Sequence, residues 1–137
     1  MIPKFRAFNK ETQKMYGIDG FKSSVRKIYR RSLAYDEFRL GHMETFHFVE
    51  DNLDNYILMQ STGMLDTNGV EIFKDDIVKL RYTITSDFEF FKVNQFRSGS
   101  WRIDNRRRGT GLWLRKEVCE VVGNIYENPE LLESVNE

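Results

Sequence analysis

The sequence predicts an all-β, or mainly β, domain: a small curved sheet or partly open β-barrel with a short C-terminal helix. Three observations predict it. Aromatic residues make up 14% of the chain, with 11 Phe and 6 Tyr, side chains that suit a pleated, half-buried surface. Short apolar–polar alternations recur between turn signals, and a period of two belongs to strands with one wet face. The 2 prolines, Pro3 and Pro129, lie outside the strand interiors, where they would break a ladder.

The elements follow in order. Phe5 and Ala7 alternate with Lys4 and Arg6, which reads as a strand. Asn9-Lys10-Glu11-Thr12 is a turn, because an Asn side chain bonds to backbone two residues on. Met15 to Phe21 is the return strand, with a glycine irregularity, so the chain opens on a hairpin. Residues 22–44 are poorly patterned: Ile28, Tyr29, Leu33, Tyr35, Phe38 and Leu40 fit a helix face or strands equally. The stretch at about 22–50 is read as an excursion from the core. Residues 45–49 alternate again as a strand, and 51–55 form a turn.

The central stretch is the most legible. Residues 56–60 are an apolar strand, which Ser61-Thr62-Gly63 is expected to break. Asp66-Thr67-Asn68-Gly69 is a tight turn, with Asn-Gly suited to type I′ geometry. Val70 to Phe73 leaves it, Lys74-Asp75-Asp76 bends the chain, and residues 77–82 form a strand with Lys79 and Arg81 on its wet face. Strands follow around 88–94 and 100–104, then a loop at 105–111 holding Arg106-Arg107-Arg108. Leu112-Trp113-Leu114 restarts regular structure, and 117–126 is a last strand with a glycine bend. Asn128-Pro129-Glu130 starts the helix: Asn is a favoured cap, Pro suits the first helical position, and Glu complements the positive helix end.

The length of 137 residues fits a single domain, 1–137. No apolar run approaches the roughly 20 residues that span a bilayer. The N-terminus reads as a strand rather than a signal peptide. One cysteine, Cys119, permits no internal disulfide. The expected location is therefore a reducing cytoplasm, with no membrane partner. Net charge is zero, yet the charge is blocky. Lys22, Arg26, Lys27, Arg30 and Arg31 form one basic block. Arg97, Arg102, Arg106, Arg107, Arg108, Arg115 and Lys116 form a second, and the tail from Glu127 is acidic. Patches of opposite sign can neutralise one another across the surface or across a subunit contact.

Three segments resemble the YopX family of phage and prophage proteins. They are Lys4-Phe5-Arg6-Ala7-Phe8-Asn9-Lys10-Glu11 with Met15, the run from Leu58 through Asn68-Gly69 to Val78, and Val122-Gly123-Asn124-Ile125-Tyr126-Glu127-Asn128-Pro129-Glu130-Leu131-Leu132. They occur in the family's order. Residues 22–50 lie outside the resemblance. The chain departs from the family pattern at Lys74-Asp75-Asp76, where Glu-Gly-Asp is usual, at Phe8 for Trp and at Asn9 for Asp. Asp75 must then make a bend that glycine makes more readily. The resemblance implies a mainly β fold, a host-cytoplasm setting for a phage or prophage protein, and no assigned activity. The shared residues are turn and strand residues.

Candidate chemistry is sparse. His42 and His47 are the only histidines, and neither has a nucleophile and acid in an evident constellation. Cys119 lies in an apolar strand, where a cysteine behaves as a small hydrophobe. His42, Glu44 and His47 match no zinc spacing. Asp66, Asn68 and Glu71 lack the further ligands of a calcium loop. Asp75 and Asp76 point apart on a strand and read as turn residues. No catalytic residue, metal site, cofactor or small-molecule substrate is expected. The best-supported binding chemistry is Arg102, Arg106, Arg107, Arg108, Arg115 and Lys116 beside Trp101 and Trp113, since guanidinium groups neutralise phosphates and aromatic faces stack bases. The competing reading makes the tryptophans core residues and the arginines a solvated loop. The expected function is a non-catalytic binding or self-assembly module, a homo-oligomer using its aromatic excursion. The alternative is a nucleic-acid-binding accessory protein using the Arg106–Arg108 loop, with Trp113 among its contacts.

Overall fold

Strand β1 (Phe5–Asn9) pairs antiparallel with β2 (Lys14–Lys22), Phe8 opposite Met15. The structure, a computed structural model, describes residues 4–35 and 48–133. The hairpin closes as its asparagine predicts: Asn9 Oδ1 accepts the Glu11 and Thr12 N–H groups at 2.8 and 3.0 Å. Gln13 takes the left-handed conformation, φ 60°, and its N–H returns to the Asn9 carbonyl at 2.8 Å. The glycine irregularity in β2 is a register shift between Ile18 and Gly20 against β3 (Lys27–Arg31). β4 (Phe48–Asn52) pairs with β3, and a 3-10 turn at Leu53–Asn55 leads into β5 (Tyr56–Leu65), which returns to β1. Residues 36–47, with His42, Glu44 and His47, lie outside the described residues. The rest of the segment read as an excursion supplies β3 and part of β4, and it buries Ile28 and Ala34 with Ala7, Tyr16 and Tyr56.

A polar cluster ties this ladder together. The Tyr56 hydroxyl donates to Asp51 Oδ2 at 2.6 Å and accepts from Arg30 Nε at 2.7 Å. The Arg30 guanidinium also lies 4.5 Å from the Tyr16 ring centroid. Burial, then the Asp51 carboxylate, pushes the Tyr56 hydroxyl up to about 12. The same hydrogen bond holds the Asp51 carboxyl below its usual range.

The domain expected from length is organised as two compact units, residues 1–60 and 61–137, and β5 runs from one into the other. Ser61-Thr62-Gly63 does not break β5, contrary to expectation. The strand bulges instead, its register against β6 (Glu71–Phe73) shifting between Ser61 and Leu65. Side-chain hydroxyls replace the ladder there: Ser61 Oγ accepts the Gly63 N–H at 3.0 Å, Thr62 Oγ1 accepts the Met64 N–H at 3.1 Å, and Thr62 donates to the Ile72 carbonyl at 2.7 Å.

The 66–69 turn is present, with different geometry from that expected. Among its residues only Gly69 has positive φ, 78°, and its N–H reaches the Asp66 carbonyl at 3.0 Å. This is a type I turn followed by a glycine bulge, not type I′. The cause is the buried Asp66 carboxylate. Its Oδ1 accepts the Asn68 and Val70 N–H groups at 2.8 and 2.9 Å, and its Oδ2 accepts the Val121 N–H at 2.8 Å.

Asp75, in the two-residue link to β7 (Asp76–Arg81), does take the left-handed conformation, φ 69°. It is held there by Tyr126, whose hydroxyl donates to Asp75 Oδ2 at 3.0 Å, and by Lys92 Nζ at 3.8 Å. Asp76 accepts the Phe73 N–H at 2.8 Å. The neighbouring carboxylates thus serve different bonds, as expected of turn residues.

β8 (Phe88–Gln95), β9 (Trp101–Asp104), β10 (Gly109–Gly111) and β11 (Glu120–Asn124) complete a second sheet in the order β10-β9-β8-β7-β11. Its inward residues Val78, Leu80, Phe91, Val93 and Ile103 are fully buried with Ile72, Leu112 and Cys119. Leu112 is the one buried residue of the 3-10 turn Leu112–Leu114. β11 is shorter than expected and bulges between Val121 and Gly123. A short helix, α1 (Glu130–Glu133), follows. Asn128 does not cap it with its side chain as predicted; that oxygen accepts the Asn124 N–H at 3.3 Å. The result is two antiparallel sheets of six and five strands, mostly β and not closed into a barrel.

Candidate nucleic-acid interface

The arginine-rich loop is a rigid hairpin tip. Asn105 donates its backbone N–H to the Arg108 carbonyl at 2.9 Å, and its Oδ1 accepts the Arg107 and Arg108 N–H groups at 2.9 and 3.0 Å. Its amide nitrogen bonds the Phe90 carbonyl at 3.2 Å, fastening the tip to β8. Gly109 lets β10 approach closely, because a Cβ there would collide with the Arg102 guanidinium.

The candidate cations divide by their partners. Arg106 and Arg107 are exposed, and their side chains make no hydrogen bond or ion pair among the described residues. Arg108 pairs with the largely buried Glu89 carboxylate at 3.5 Å and lies 4.5 Å from the Tyr82 ring centroid. Arg115 reaches the same ring at 4.7 Å and donates to the Tyr82 carbonyl at 2.9 Å. The Tyr82 ring in turn stacks on Phe91, 6.4 Å away. Tyr82 therefore joins the hairpin tip, the end of β7 and the segment leading to β11. Each cation–aromatic contact is worth roughly 0.5–1 kcal/mol at an exposed site, so their main effect is to fix where the charges stand.

Lys116 Nζ sits 4.2 Å from the Trp113 ring, which is 68% exposed. Trp101, by contrast, packs half-buried against the core. Arg102 is drawn away from the group: it bonds Asp104 at 3.1 Å and lies 4.2 Å from the Phe96 ring.

Lys79, Arg81, Tyr82 and Phe88 were not singled out as site residues by sequence reasoning. Lys79 and Arg81 both lie 4.6 Å from the Phe88 ring, which is 53% exposed. The signal was the alternating lysine and arginine of β7, but their meeting with Phe88 needs the register Arg81 opposite Phe88.

The remaining polar groups are occupied by structure. Cys119 is fully buried, and burial, then Asp66, pushes its thiol up to about 11. No group of His, Cys, Asp and Glu able to hold a metal ion occurs among the described residues. An open hollow of about 520 Å³ in the first unit is lined by Arg26, Lys27, Glu50, Asp51 and Asp54 among others. Its cations pair with its own acids, Arg26 with Asp54 at 3.5 Å and Lys27 with Glu50 at 2.5 Å. No helix among the described residues is long and apolar enough to cross a membrane.

These features define a mainly antiparallel β protein with a basic, aromatic end on its five-stranded sheet. The chain belongs to the YopX protein family, whose model matches residues 4–133. It is similar in fold to protein EF1440 from Enterococcus faecalis, with a TM-score of 0.63 and 24% identity over 96% of this chain and 99% of that one. It is also similar to protein yopX from Bacillus subtilis, with a TM-score of 0.59 and 23% identity over 94% of this chain and 97% of that one. A search of curated proteins found no match. At these identities the likeness speaks to fold alone.

Proposed function

We propose that this chain is a non-catalytic binding module that takes nucleic acid at the basic, aromatic end of its five-stranded sheet. The observation that carries the reading is the contrast among the arginines. Arg108 and Arg115 are held on Tyr82, whereas Arg106 and Arg107 stand exposed on a tip locked by Asn105. Exposed cations on a rigid support suit phosphate contacts, which position a ligand without reading its sequence. Resemblance to the YopX family supports a phage or prophage setting in the host cytoplasm, and the buried free thiol of Cys119 accords with a reducing compartment.

The test is equilibrium binding to an oligonucleotide over a salt series. An Arg106→Ala, Arg107→Ala double variant should weaken binding and flatten the dependence of log affinity on log salt by about 1.4 for a single strand, from two lost phosphate contacts. Parent-like binding by that variant rules out the tip. Self-assembly is the second reading, favoured by Leu65 and Val70, which are 54% and 47% exposed at the ends of the 66–69 turn. A light-scattering mass several times 16.3 kDa, lowered by Leu65→Ser with Val70→Ser, supports it.

A further inference from the structure

We infer that the ligand is single-stranded and that one unstacked nucleotide seats in the hollow beside Arg115, an inference that rests on the nucleic-acid reading above. The hollow has a volume of about 370 Å³ and is lined by Arg81, Tyr82, Thr83, Ile84, Arg115 and Val118. Small-ligand sites run from roughly 300 to 1,000 Å³, so it takes a small body, not a helix or a duplex.

Its chemistry is mixed in a specific way. None of the lining residues is acidic. Arg115 spends one N–H on the Tyr82 carbonyl and makes no ion pair among the described residues. Arg81 is exposed, its guanidinium resting on Phe88. Beside these cations, Ile84 is 92% and Val118 59% exposed, a rim of bare apolar side chains. A free phosphate uses the arginines and leaves the rim idle. A duplex keeps its bases stacked and offers mainly phosphates and groove edges. An unstacked nucleotide uses both halves: its phosphate meets Arg81 and Arg115, and its flat base covers Ile84 and Val118. Trp113, exposed two positions before Arg115, offers a neighbouring base a stacking face. Such stacking is tolerant of base identity, so little sequence preference follows.

The experiment uses the full chain and dye-labelled oligonucleotides of about 15 nucleotides, within the range one small domain covers. A single strand is compared with a hairpin duplex by fluorescence anisotropy. The single strand should bind at least about tenfold more tightly. An Ile84→Ser, Val118→Ser variant adds no charge and alters exposed positions, so it should fold as the parent does. It should weaken single-strand binding about tenfold, the order of one lost stacking contact, and leave duplex affinity within about twofold. Equal affinity for the two forms, or parent-like single-strand binding by the variant, overturns the inference while leaving the nucleic-acid reading in place. Failure of the parent to bind either form overturns both.

Discussion

Replacing Asp66 by alanine removes a carboxylate that accepts three backbone N–H groups, from Asn68, Val70 and Val121, at 2.8–2.9 Å. Hydrogen bonds to a charged group contribute roughly 1.5–3 kcal/mol each, and a buried donor left unpaired costs about 1–3 kcal/mol. Asn68 and Val70 lie at an exposed turn and regain water, so we assign each a loss of about 1 kcal/mol. The Val121 amide lies inside β11 between the turn and a bulge, and its loss is set at about 2 kcal/mol. The sum is a destabilisation of about 4 kcal/mol, large for one residue. Asp66→Asn should cost less, about 2 kcal/mol, because its amide oxygen keeps the Asn68–Val70 pair while its NH₂ faces the Val121 donor. Urea unfolding followed by tryptophan fluorescence reads this directly, since Trp101 and Trp113 both lie in the second unit. With a slope of about 2 kcal/mol per molar urea, the alanine midpoint should fall by about 2 M. A loss below about 1 kcal/mol for alanine, or a larger loss for asparagine than for alanine, refutes the claim that this carboxylate sets the turn.

Two further outcomes follow from the same structure. Asp75→Asn should cost under about 1 kcal/mol, because Asn tolerates the left-handed conformation and still accepts from Tyr126, whereas Asp75→Ala should cost about 2–3 kcal/mol in urea unfolding; equal losses would sink this account. In the first unit, the depressed Asp51 carboxyl contributes stability that is present above the ordinary carboxyl range and lost as pH falls through its folded value. Tyr56, raised to about 12, contributes stability that is complete below its ordinary value near 10 and lost as pH rises toward the folded one. Tyr56→Phe should therefore lower stability near neutrality and reduce both the acid and alkaline slopes, read by circular dichroism in urea at several pH values. Unchanged slopes in that variant contradict the hydrogen bond as their source.

Much of the local structure was legible because its causes are local. Asn9 carries its own turn chemistry within three residues. Alternating apolar side chains located β1, β7 and β8, since a wet face and a dry face impose a period of two. The left-handed bend at Asp75 was expected because no glycine is present to take it. The segments with family resemblance hold such turn and strand residues, and the family match followed from them.

Other features depend on partners far along the chain. The 66–69 turn was placed correctly and typed incorrectly, because a carboxylate that also binds Val121, 55 residues away, holds Asn68 out of the left-handed region. Ser61-Thr62-Gly63 resembled a break because nothing nearby reveals that Thr62 will reach the Ile72 carbonyl. At the candidate interface, Arg106, Arg107 and Arg108 are equivalent as letters. Glu89 and Tyr82 engage the third and leave the first two exposed, and that choice is made by the pairing of β7 with β8 and the seating of the hairpin on β8. Periodicity and turn chemistry act over a few residues and can be read along the chain, whereas charge partners are assigned by register, which exists only once the sheet has formed.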